Sequence, residues 1–91
     1  MSDGANIAAG GRVEAFLADD AVAGALVKME QEYVRAWRAA TTVEEREAEH
    51  AKMRVLDDFR LELRTIVDRG KMSAATVARA ERVAQSNQRS R

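Results

Sequence analysis

The chain holds a single histidine, His50, in the run Glu45–Arg46–Glu47–Ala48–Glu49–His50, whose carboxylates and imidazole are the donor types of a metal site or an acid–base pair. A helix offers the usual transition-metal pair when two such ligands stand four residues apart, and no second histidine exists to supply one. Acids in the first turns of a helix are also what its dipole favours, so the run reads as a solvated helix start. Asp57 and Asp58 are adjacent and therefore diverge on a helix, which excludes an acid–base dyad. Cysteine is absent, and neither a G-x-S-x-G turn nor a phosphate-binding loop occurs. No catalytic residue, metal or cofactor is expected, and the chain does not read as an enzyme.

Two constellations point to nucleic acid instead. Tyr33 and Trp37 lie near Arg35 and Arg38, a combination that can stack bases. Both aromatics also fall on or beside an apolar helix seam, so packing is the simpler account, with Trp37 at an interface edge. The segment Gly70–Lys71–Met72–Ser73–Ala74–Ala75–Thr76–Val77–Ala78–Arg79 resembles the turn and recognition helix of a helix-turn-helix protein. That resemblance implies a small DNA-binding regulator or packaging factor acting through residues 70–82, with Arg79 and Arg82 as the candidate nucleic-acid contacts. The glycine stands one residue further from the serine than in the common pattern, and the preceding helix is about three times too long.

Charge is balanced overall at fifteen bases and fifteen acids, yet unevenly spread. Residues 1–34 carry six acids against Arg12 and Lys28, whereas residues 69–91 carry six bases against Glu81 alone. An anionic partner for the C-terminal stretch is one reading; an arginine-rich composition, twelve arginines to three lysines, is the other.

The elements that must position these residues are all helical. Alanine, leucine, glutamate and arginine dominate, and only four residues are aromatic. Residues 1–11 are small, polar and Gly-rich and read as a flexible, disordered tail. Residues 12–86 form a single helical domain, and residues 87–91 a frayed end. Arg12–Ala18 makes a turn or two of helix, with Phe16 and Leu17 as an apolar pad, before Asp19 or Asp20 caps a first long helix over about 20–40. Along it Val22, Leu26, Met29, Tyr33 and Ala36 recur at spacings of four and three, with Trp37 beside them. Thr42 with Glu45 forms a capping box, starting a second long helix that runs over about 43–69 until Gly70 takes the C′ position. Its seam is Leu56, Phe59, Leu63 and Ile66. A third short helix, capped by Ser73, is expected over about 74–85.

The short connection at residues 41–42 makes the two long helices an antiparallel hairpin, so that small Ala48 and Ala51 oppose bulky Tyr33 and Trp37. The expected core or interface is Leu26, Met29, Tyr33, Trp37, Leu56, Phe59, Leu63 and Ile66, with Leu56, Phe59 and Leu63 buried, and Phe59→Ala is expected to cost about 3–5 kcal/mol. Two helices leave Val27, Val34, Val55 and Leu61 uncovered, which predicts a homo-oligomer, a dimer above all, or a protein partner. No apolar run reaches the roughly 20 residues that cross a bilayer, and no signal peptide is evident, so a cytoplasmic location without membrane insertion is expected.

From Trp37–Arg38–Ala39 through Glu45–Arg46–Glu47–Ala48–Glu49–His50 to Leu63 and Gly70, the chain resembles small all-helical proteins of tailed bacteriophages and prophages. There a tryptophan ends one helix, an acidic Arg-Glu-containing start opens the next, and glycine stops a Leu-rich helix. The resemblance covers roughly residues 13–72. It implies a phage origin and a place in host cytoplasm or virion, with no assigned biochemical role.

Overall fold

The computed structural model describes residues 2–89 and is all-helical: α1 is Asp3–Ala18, α2 Asp20–Ala39 and α3 Val43–Arg89. The breaks between helices follow from side-chain caps. Asp19 is extended, and its carboxylate accepts from the backbone N–H groups of Ala21 and Val22 at 2.9 and 3.1 Å, which opens α2 as the sequence predicts. Thr42 Oγ1 accepts from the Glu45 N–H at 3.1 Å, opening α3 at the expected residue. The Glu45 carboxylate reaches back one residue further than in the common box, accepting from the Thr41 N–H at 3.1 Å.

Four expectations are corrected. The segment expected to be a flexible tail is helical from Asp3, with Ser2 Oγ accepting from the Ala5 N–H at 3.2 Å; Met1 lies outside the described residues. Gly70 does not end a helix: α3 runs through it for 47 residues, about 70 Å, instead of about 40 Å for a helix stopped at residue 69. No separate helix begins at Ser73, and helix continues through residues 87–89 of the end expected to fray, while Ser90 and Arg91 lie outside the described residues. The helical tail and the continuity of α3 through Gly70 and Ser73 share a cause, which lies in the contact between α1 and this stretch of α3.

The chain divides into two compact units. One comprises residues 1–14 with 64–91. Here α1 crosses α3 backbone to backbone: a Cβ on Gly10 would stand 3.0 Å from Gly70 Cα and 3.2 Å from the Ile66 carbonyl oxygen, and one on Gly70 would stand 2.8 Å from the Asn6 carbonyl oxygen. Gly70 has no positive φ, so it is needed for space and not for a left-handed turn. One turn on, Asn6 Nδ2 donates to the hydroxyl of Ser73 at 3.1 Å, and Ser73 is buried. Lys71 closes the edge with Glu14 at 3.4 Å. Val67, 9% exposed, is the one large apolar side chain buried in this unit.

The other unit, residues 15–63, holds α2 against the first part of α3. Arg60 pairs with Glu30 at 2.6 Å, and Tyr33 and Ala51 line one groove. Of the intrahelical ion pairs that spacing allows on α3, Glu49 with Lys52 closes at 3.0 Å; no ion pair joins Arg54 to Asp58, Asp57 to Arg60 or Arg64 to Asp68 among the described residues. Leu56, 5% exposed, is this unit's covered side chain.

Candidate interaction surface

Met29 and Tyr33, four apart on α2, and Ala51, Val55, Leu56 and Phe59 on α3 line a groove of about 350 Å³ in the second unit, with Lys52 at its rim. The caps set this register: Asp19 and Thr42 fix where each helix begins, and the 3.6-residue period then turns these positions toward each other. Leu56 forms the floor. Phe59 is 46% exposed, Met29 is exposed, and Val55 is open to solvent, so the walls are apolar and uncovered.

Of the expected core residues, Leu56 is buried; Leu26, Tyr33, Leu63 and Ile66 are half-buried. Met29, Trp37 and Phe59 are exposed within one chain, which corrects the expectation that Phe59 is buried and leaves Met29 and Trp37 available to an interface. The reason is geometric. Two helices cover one stripe of each other, and residues flanking that stripe need a third or fourth element. Val27 and Leu61 flank it in the same way and are exposed, while Val34 is half-buried.

The other candidate sites fare differently. Arg35 and Arg38 border a shallow depression with Glu30, Gln31 and Val34, a depression that neither Tyr33 nor Trp37 lines. His50 stands exposed among Glu47, Arg54 and Asp58, and no group of three or more potential metal ligands converges among the described residues. The turn required by a helix-turn-helix arrangement is absent at 70–73, where α3 is continuous. Arg79 and Arg82 are exposed on that helix and make no ion pair among the described residues.

Sequence reasoning passed over Gly10, Asn6 and Ser73 as contacts, and Met72 and Val83 as exposed apolar side chains. The signal for the last two was available: they stand eleven apart, three helical turns, on one line of a helix. No helix among the described residues is long and apolar enough to cross a membrane. No family model matches the chain, and neither a curated protein nor a solved structure matches it.

Proposed function

We propose that this protein is a non-catalytic helical interaction protein that self-associates through the groove of its α2–α3 hairpin and acts as an adaptor or structural component. The observation that carries this reading is the mismatch between apolar content and coverage. Leu56 and Val67 are the only buried hydrophobic residues described, while Val27, Met29, Trp37, Val55, Phe59 and Leu61 remain exposed within one hairpin. A chain of 91 residues buries a low fraction of its surface even when well packed, and a second copy laid on this face supplies the missing layer. The resemblance to small helical phage proteins implies a phage origin, in host cytoplasm or virion, and adds no role of its own.

Sedimentation at micromolar concentration tests this reading. The expected result is twice the 10.0 kDa chain mass or more, with a melting temperature that rises with concentration. A thermally stable monomer would overturn it.

The exposed arginines of α3 favour a second reading, in which the basic stretch meets nucleic acid. Without a turn before residue 73, Arg79 and Arg82 would contact backbone phosphates and not read bases as a recognition helix does. The measurable signature is weak binding that falls steeply with salt and is indifferent to sequence. No sequence-specific duplex binding is expected at about 0.15 M salt.

A further inference from the structure

The exposed end of α3 and the apolar groove complement each other, and the pairing rests on the self-association reading above. Residues 78–89 are exposed along their whole length, yet helical. A helical end exposed in this way gains little from tertiary packing, which is where most helix stability in proteins comes from. Met72, Thr76, Arg79 and Val83, at spacings of four, three and four, share a face roughly 120° round α3 from the Gly70, Ser73 and Val77 line, at 100° per residue. Met72 is 71% exposed and Val83 55%. The Thr76 hydroxyl donates to the Met72 carbonyl at 3.0 Å, which removes its donor from that face. The result is an apolar line with one guanidinium set in its middle.

The groove has the matching composition. Its walls are apolar, and beside Lys52 stands Glu49, whose Oε1 accepts from Lys52 while Oε2 is buried without a donor. A half-satisfied carboxylate is served by a guanidinium, which carries five donors. Net charge sorts the same way. Residues 15–63 carry eleven acids and seven bases, whereas residues 1–14 with 64–91 carry four acids and eight bases. Laying the hairpin face of one copy on the hairpin face of another sets two net-negative surfaces together; laying the C-terminal helix on it joins opposite signs.

We propose that the groove of one copy receives the Met72–Val83 face of a second copy's α3, with Arg79 of that copy turning the Glu49 carboxylate outward to pair with it. In this register Val83, one turn beyond Arg79, comes alongside Val55, and Met72, two turns before it, comes to the level of Trp37. The association is head-to-tail and uses different surfaces of the two copies.

The chain has no cysteine, so any disulfide can form only between introduced thiols. Full-length Val55→Cys and Val83→Cys variants, mixed and oxidised, should yield the Val55–Val83 linked heterodimer in preference to either self-linked product. A dimer mass by sedimentation with Val55→Cys linking to itself, or with no mixed product, overturns head-to-tail docking and leaves self-association standing. A chain-mass monomer at all concentrations overturns both. Charge exchange supplies the second arm: Glu49→Arg and Arg79→Glu should each weaken self-association at least tenfold, and a mixture of the two variants should recover it. Failure of the mixture to recover, or Arg79→Glu abolishing binding to a random-sequence DNA duplex while leaving self-association intact, assigns Arg79 elsewhere and overturns the proposal.

Discussion

The two units are held by different physics. In residues 15–63, wide apolar side chains face each other and leave a groove; in residues 1–14 with 64–91, the backbones themselves meet at Gly10 and Gly70, and the side chains that matter are a polar pair, Asn6 and Ser73. The first kind of contact tolerates volume changes that conserve its pattern. The second has no slack, because the atoms that a new Cβ would strike are carbonyl oxygens and Cα atoms, which cannot swing aside as a side chain can. Side-chain packing therefore encodes affinity by area, and glycine packing encodes position by exclusion.

Substitutions can sharpen or break this contrast. The largest effect should come from Leu56→Ala, which empties the floor of the groove and should cost about 2–5 kcal/mol, read as a lowered melting midpoint by circular dichroism. Gly70→Val should follow closely. Its side chain is placed where the Asn6 carbonyl and Gly10 Cα stand, so a loss of about 1–3 kcal/mol or more is expected, with faster amide exchange confined to α1. If exchange in α1 is unchanged, the glycine contact is not what holds it. Phe59→Ala, at 46% exposure, should cost about half of what a fully buried phenylalanine does, and under the proposed self-association the cost should grow with protein concentration. Ser73→Ala leaves the Asn6 amide without its acceptor and should cost about 1–2 kcal/mol. The smallest effect has the opposite sign. A Cβ on Gly24 meets nothing within 4 Å, so Gly24→Ala should stabilise α2 by about 0.5–1 kcal/mol; destabilisation there would show that glycine serves packing in this unit too.

The helix starts were legible because each is written within four residues: Asp19 before α2, and Thr42 with Glu45 before α3. Gly70 misled for the opposite reason. A glycine after a Leu-rich helix is a C′ signal when read alone, and its actual use depends on Gly10, sixty positions away, inside a segment whose own composition suggests disorder. Long-range exclusion of this kind leaves no local trace. Of the groove, the sequence showed which residues share a face, since periodicity does that. Whether Phe59 and Met29 on that face are covered depends on what else is present, and spacing is silent about it.

Trp37 gives the molecule its own optical probe. It is the only tryptophan, it stands in the same i, i+4 row as the groove residues Met29 and Tyr33, and it is 38% exposed, so indole emission in dilute solution should lie between the wet and dry extremes. Any copy that settles on this end of the hairpin strips water from the ring and shifts the emission to shorter wavelength. A dilution series in a fluorimeter then follows assembly of the unlabelled, unmodified chain in real time.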